Sequence, residues 1–340
     1  MDFVVQDVSS IPNGESYAFH PISPFGSFFD QWQLLGKPFP IENLPQGLPS
    51  VEGCFSSEFK NFVALHGDYM KVNSGNIYHT CRFIDTTYID LLEKIRPHKK
   101  QWAIGPINPV TIISEGGGRI RNSNNQLHKS LEWLDKQAPK SVMFVSFGTT
   151  TSMEDEQIKE LAMGLEQSGQ KFIWVLRDAD KGNIFVGVDD DKRVKQLPQG
   201  YEERVKEVGM VVRDWAPQLD ILGHPSTGGF MSHCGWNSCM ESFTMGVPIA
   251  TWPIHSDQPK NAFLVTDILK VGLVVNRWTH PAELVSSSTI AKAIKTLMAS
   301  KQGEQVRKRA EELGGAVRQS MKEGGVSRME LDSFITHITR

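Results

Sequence analysis

Between Trp215 and Gln258 the chain reads WAPQLDILGHPSTGGFMSHCGWNSCMESFTMGVPIATWPIHSDQ, 44 residues with more groups able to do chemistry than any other stretch. A strand-to-helix turn, His233-Cys234-Gly235-Trp236, leads into Asn237 and Ser238. The start of a helix offers N–H groups without intrahelical partners and the positive end of the helix dipole, a setting for phosphate. Gly235 allows the backbone to come close to such a ligand. Glu241 follows Asn237 at the i+4 spacing, which puts it on the same helical face about one turn on. A carboxylate there can accept two hydrogen bonds from a vicinal diol, at roughly 1.5–3 kcal/mol each. Trp215 precedes Pro217, which suits the first position of another short helix. Its indole can stack on a base, worth about 0.5–1.5 kcal/mol beyond area burial. Asp257 and Gln258 follow a strand ending at Trp252, and that strand should carry them to the same sheet edge. An acceptor-only side chain beside an amide suits the hydroxyls of a hexose.

Taken singly, each residue has a plainer role. Trp215 could be a core tryptophan, Asn237 and Ser238 could simply cap a helix, and Glu241 could point into water. Asp257 could be a turn carboxylate, with Gln258 leading into a helix-initiating Pro259. The set together points instead to a base, a diphosphate, a ribose and a sugar held in sequence.

The elements that must position these groups alternate regularly from about Ser141 onward. SVMFVSF (residues 141–147) reads as a buried strand closed by Gly148. Ser152 with Asp155 reads as a capping box for a helix that carries Ile158, Leu161 and Leu165 on one face and ends at Gly169. KFIWVL, MVVRDW, GGFMSH and VPIATW are further strands. Such alternation predicts a parallel, doubly wound α/β sheet, in which ligands sit outside the carboxyl ends of the strands. Residues 288–340 read as charged helices broken at the pairs Gly314-Gly315 and Gly324-Gly325. The first ~120 residues show weak periodicity, with short apolar runs near Tyr17–Ile22, Gly75–His79 and Gln101–Ile107. SEGGGRIRNSNN (residues 114–125) has the composition of a linker. The expected organisation is therefore an N-terminal domain and linker over 1–125, a ligand-binding domain over 126–320, and a C-terminal helix over 321–340 that packs back on the N-terminal domain.

Composition narrows the partners. A formal charge of -3 over 340 residues gives no electrostatic reason to expect nucleic acid or an anionic membrane. Cys54, Cys81, Cys234 and Cys239 make no disulfide framework and no CxxC pair. No apolar run reaches the ~20 residues of a membrane span, and no signal peptide is visible at the start. The expectation is a cytoplasmic monomer. Asp178-Ala179-Asp180 has the form of a metal-binding acidic triplet, but such triplets are common in loops, and no metal is expected.

The WAPQ, HCGWNS, Glu241 and Asp257-Gln258 elements, at their 44-residue span, resemble the plant secondary-product glycosyltransferase box. That box is the signature of plant UDP-sugar-dependent glycosyltransferases with the GT-B fold. SVMFVSFGTTTS, FIWVLRDADKGNIF and WPIHSDQP are similar to the branch that glucosylates or xylosylates zeatin-type cytokinins. The resemblance implies two Rossmann-like domains, with Trp215 stacked on uracil and Ala216 and Gln218 at uracil and ribose. It further implies that His233, Asn237 and Ser238 bind the diphosphate, with Gly148, Thr149 and Thr150 in the loop beside it. Glu241 would bind the ribose, and Trp236, Asp257 and Gln258 the sugar. The implied donor is UDP-glucose or UDP-xylose, the acceptor a small hydroxylated molecule, and no cofactor or metal is needed because imidazole, N–H groups and the helix dipole stabilise departing UDP.

Family members invert at C1, with a His near the N-terminus deprotonating the acceptor and an Asp orienting that His. Both belong to segments preceding the element matched here by VVQD at Val4, so the resemblance puts them upstream of Met1 and the N-terminal domain is expected to be incomplete. His20 matches a later strand and is not read as the base. The alternative expectation is a non-catalytic UDP-sugar-binding fragment.

Overall fold

A computed structural model describes the chain except residues 1–4, 6, 9, 43, 51–52, 67–71, 110–126, 150–152, 177–196 and 279–282. Thr150, Ser152, Asp178-Ala179-Asp180 and the linker-like stretch 114–125 therefore lie outside the described residues. Two compact units are formed: one from Met1–Pro109, His255–Phe263 and Ala316–Arg340, the other from Val110–Ile254 and Leu264–Gly315.

The first unit holds three parallel strands, β1 (Tyr17–His20), β2 (Gly75–Tyr78) and β3 (Lys100–Ala103), in the order β1-β2-β3. Helix Pro24–Leu34 is more regular than the sequence suggested, because its pattern is carried by aromatic residues within a Pro- and Gly-containing run. Phe25, Phe28, Phe29 and Trp32 recur at i, i+3, i+4 and i+7 and are all buried. Pro24 begins the helix, where a missing N–H costs nothing, and Ser23 caps it by accepting from Gly26 N. Tyr88, on helix Arg82–Ile95, meets Phe25 edge to face at 4.8 Å. The C-terminal helix Val326–Ile338 packs on β3 in this unit. Arg82 Nε donates to Glu330 Oε1 at 2.5 Å, Ala103 N to Glu330 Oε2 at 3.3 Å and Trp102 Nε1 to Ser333 Oγ at 3.4 Å.

The second unit is a six-stranded, all-parallel sheet with the order β6-β5-β4-β7-β8-β9. Its strands are β4 (Val142–Ser146), β5 (Lys171–Val175), β6 (Gly209–Val212), β7 (Thr227–Ser232), β8 (Ile249–Thr251) and β9 (Gly272–Val274). Successive side chains alternate between two apolar layers. Met143, Val145, Phe172, Trp174 and Met231 join Ile158, Leu161, Leu165, Ile290 and Ile294 on one face. Val142, Phe144, Ile173 and Phe230 join Leu131, Leu134, Ile221 and Leu222 on the other. Burial on both faces is why these strands read as continuous apolar runs rather than alternating ones.

Two helix boundaries differ from the sequence expectation. Helix Asp155–Ser168 has Glu154 in the cap position, without a side-chain cap bond. Helix Lys301–Ser320 runs unbroken through Gly314-Gly315. Gly314 is there for close approach: a Cβ on it would lie 2.7 Å from Gly246 Cα and 2.8 Å from Phe243 O.

Asp85 is fully buried and sits at a non-helical point (φ -128°, ψ 17°) inside helix Arg82–Ile95. It accepts from Thr80 Oγ1 at 2.7 Å and from Phe25 N at 3.3 Å, so it ties the β2 exit to the start of helix Pro24–Leu34. Burial outweighs these bonds and pushes its pKa up to about 7. A carboxyl whose folded pKa exceeds its unfolded one gives stability that is full below the unfolded value and lost as pH rises through the folded one. Urea unfolding midpoints should therefore decline from about pH 4 to 7, and Asp85→Asn should shallow that decline. Identical slopes for the two proteins would remove Asp85 as its source.

Candidate functional site

In the second unit the strand order reverses between β4 and β7, the neighbouring central strands, so a crevice opens beyond their carboxyl ends. Gly148 and Thr149 leave β4 there, and His233-Cys234-Gly235 leaves β7 and enters helix Trp236–Met245. Gly235 occupies the cap position, with no side-chain cap bond. Gly235 has no side chain with which to cap the first-turn N–H groups, and a helix start of this kind suits an anion.

The imidazole of His233 sets this geometry. A Cβ on Gly148 would lie 2.7 Å from His233 Nε2, and one on Gly235 would lie 2.5 Å from the same atom. The ring edge is thus threaded between two glycines, one from each central strand's exit. Gly148 is also left-handed (φ 77°). Cys234 adopts φ 65° despite its side chain, and its N–H donates to Ser232 Oγ at 3.1 Å. Left-handed backbone at a non-glycine residue is the kind of strain that turns at functional sites retain.

Three of the sequence-expected residues form one network. Gln218 begins helix Gln218–Leu222, and its Nε2 donates to Glu241 Oε2 at 2.7 Å and to Ser238 Oγ at 3.0 Å. Burial raises the Glu241 pKa, and the Gln218 bond opposes that rise. Trp215 is 58% exposed, which excludes the core-tryptophan alternative and leaves an indole face for stacking. The His128 ring meets it edge-on at 6.3 Å. His128 caps helix Lys129–Leu134 through a bond from Ser130 N, and sequence reading passed over it; its place just before KSLEWL is the signal that was there. Asn237 is exposed, Ala216 is half-buried, and Trp236 is buried against Phe243. The Trp236 ring is therefore core.

Asp257 and Gln258 lie in the first unit, at the start of helix Gln258–Phe263. Asn261 Nδ2 donates to Asp257 Oδ2 at 2.8 Å. Burial raises the Asp257 pKa, opposed by that bond. The segment is fixed within its unit by the buried ammonium of Lys260, which bonds Asp30, and by Ser256 N, which donates to Cys54 O at 2.9 Å. His20 hydrogen-bonds Asn76 Oδ1 through Nε2 at 3.0 Å and stacks on Tyr78 at 4.8 Å, and burial lowers its pKa. Among the described residues no cluster of three or more His, Cys, Asp or Glu is arranged to hold a metal ion, and no helix is long and apolar enough to cross a membrane.

Residues 79–308 match the family model described as UDP-glucoronosyl and UDP-glucosyl transferase, and residues 1–109 match that of the glycosyltransferase N-terminal domain. The chain is 53% identical to a zeatin O-glucosyltransferase of Phaseolus lunatus, over all of its own length and 72% of the relative's. It is 52% identical to a zeatin O-xylosyltransferase of Phaseolus vulgaris, over all of its length and 73% of the relative's. Among solved structures, a Siraitia grosvenorii transferase in complex with UDP superposes with TM-score 0.80 at 30% identity, covering 100% of this chain and 77% of that one. A Medicago truncatula protein complexed with UDP-glucose gives 0.78 at 27% identity, covering 100% and 74%.

Gly148→Ala would drive a methyl into the His233 ring, so we expect UDP affinity to fall by about tenfold or more, with stability lower by ~1–3 kcal/mol. Unchanged calorimetric affinity would show that the ring's seat is dispensable. Glu241→Ala should weaken UDP binding by about tenfold or more, through loss of charged hydrogen bonds. Because the ionised carboxylate is the accepting form, wild-type UDP affinity should also fall as pH drops through the raised Glu241 pKa, and Glu241→Gln should flatten that fall.

Proposed function

The chain belongs to the UDP-glucoronosyl and UDP-glucosyl transferase family, and on that premise we propose that it moves glucose or xylose from a UDP-sugar to a hydroxyl of a zeatin-type cytokinin. That it is a UDP-sugar glycosyltransferase for small molecules follows from the family; the acceptor, the choice of sugar and the roles of individual residues are our reading. The observation that carries it is the Gln218–Ser238–Glu241 network at a helix start whose cap residue is a glycine, in the same unit as an exposed Trp215.

In this reading uracil stacks on Trp215, beside Ala216 and Gln218. The ribose hydroxyls donate to Glu241, and Gln218 holds that carboxylate in place. The diphosphate meets the first-turn N–H groups of helix Trp236–Met245, with Asn237, Ser238 and His233 around it and the Gly148-Thr149 loop opposite. As the C1–O bond to UDP breaks, negative charge grows on the β-phosphate oxygen, where fixed N–H donors and the helix dipole stabilise it without reorganising. The acceptor oxygen forms the new bond at C1 from the opposite face, which inverts the centre, and its proton leaves to a base. Asp257 and Gln258 hold the sugar hydroxyls. The zeatin-type acceptor is supported by the identity of about one half to both bean relatives, which differ in the sugar that their names give.

The test is UDP release from UDP-glucose and from UDP-xylose, with and without trans-zeatin, with product identification. We expect UDP binding, with UDP release that zeatin accelerates. Acceleration by other small alcohols but not by zeatin would overturn the acceptor. Donor binding with no acceptor dependence at all would reduce the role of this chain to donor binding.

A further inference from the structure

With more than half of its surface exposed, the Trp215 indole is held only in part by packing, and a base that stacks on it would have to order it. His128 is the residue that reaches it. The imidazole stands perpendicular to the indole, at 88° with the ring centroids 6.3 Å apart. Burial lowers the His128 pKa and the Lys129 ammonium adds to the lowering, so the ring is neutral at physiological pH. Ser130 N donates to His128 Nδ1 at 3.2 Å. A main-chain N–H can only donate, so Nδ1 is the nitrogen that carries the lone pair, and the ring hydrogen is on Nε2. The Ser130 hydroxyl, 2.7 Å from Nδ1, donates to the same lone pair. The ring also makes a hydrogen bond with the Trp215 main chain, one that favours the protonated ring. Its partner there is an acceptor, the Trp215 carbonyl, and Nε2–H is the donor.

The far side of this bridge is firm. Ser130, Leu131 and Leu134 of helix Lys129–Leu134 are completely buried, the two leucines in the apolar layer that also holds Phe144 and Phe230. Ala216 packs against that layer too, and all these groups lie in the second unit. A helix cap needs only an acceptor, which Ser, Thr, Asp and Asn supply more compactly. An imidazole adds a second nitrogen, and here that nitrogen faces Trp215. We propose that His128 is a positioning residue for nucleotide recognition: Nδ1 is tied to a buried helix start, Nε2–H holds the Trp215 main chain, and the ring sets the plane of the indole on which the base stacks. The inference rests on the reading that Trp215 takes uracil. His128 then governs affinity for the base while leaving affinity for the diphosphate alone.

The test is a double-mutant cycle on calorimetric Kd values for UDP and for inorganic pyrophosphate, in the wild type, His128→Asn, Trp215→Ala and the two combined. Asn can still accept from Ser130 N as a cap, but it has no group at the Nε2 place. His128→Asn should therefore keep the wild-type thermal midpoint and pyrophosphate affinity while binding UDP about three- to tenfold more weakly, a loss bounded by what the stacking contributes. In the Trp215→Ala background the same substitution should change UDP affinity by less than about twofold, because the group it positions is gone. If His128→Asn does not fold, His128→Ser, another cap residue without Nε2, carries the same cycle. Wild-type UDP affinity in His128→Asn, with weakened binding in Trp215→Ala, would overturn the role of His128 and leave the uracil reading standing. Equal losses for UDP and pyrophosphate in His128→Asn would also overturn it, since a structural cap alone would explain them. Wild-type UDP affinity in Trp215→Ala would remove the uracil reading and this inference together.

Discussion

A parallel sheet buried on both faces cannot show its own side chains to a ligand. In the β4–β9 sheet both faces are spent on the core, with Met143 and Val145 facing one layer and Val142 and Phe144 the other. Only the turns leaving the carboxyl ends remain for chemistry. Every feature of the candidate site in that unit follows from this confinement: the groups come from turns and helix starts, and the glycines sit where two such turns crowd one imidazole.

Confinement to turns has an energetic cost, and it is visible at non-glycine residues. Cys234 and Ser256 both hold left-handed backbone, one in each unit, each within a short stretch that carries proposed ligand contacts. Such positions persist only where their surroundings over-determine them. Cys234 is locked by Ser232 and complete burial, and Ser256 by Cys54 O and the His255 ring. The buried carboxyls divide similarly. Asp85 ties backbone together away from the proposed ligand contacts, whereas Glu241 is held by an amide that leaves it able to accept.

Much of this was legible in the sequence because it rests on local signals. An apolar run closed by Gly148 marked β4, further apolar runs marked its neighbours, and HCGWNS marked a helix start. The aromatic helix Pro24–Leu34 was harder to see, since its i, i+3, i+4, i+7 pattern lies inside Pro and Gly punctuation. Gly314 was misread as a break because composition does not distinguish a glycine that ends a helix from one that admits a neighbouring backbone. Gly235 was understood as room for a ligand, and its demand for room comes equally from the His233 ring.

The path of the chain has a bearing on how such a molecule can be altered by recombination. Residues 255–263 belong with the first unit although the sequence on either side belongs with the second, and the chain returns to the first only at Ala316. No single cut therefore separates the two units. A chimera exchanging residues 110–315 as a block would bring a foreign residue to the place of Lys260, whose ammonium is buried, while Asp30 stayed behind. Buried charges tolerate such separation poorly, so position 30 and position 260 must be inherited as a pair. Shuffling between relatives is workable only along seams that respect that partnership.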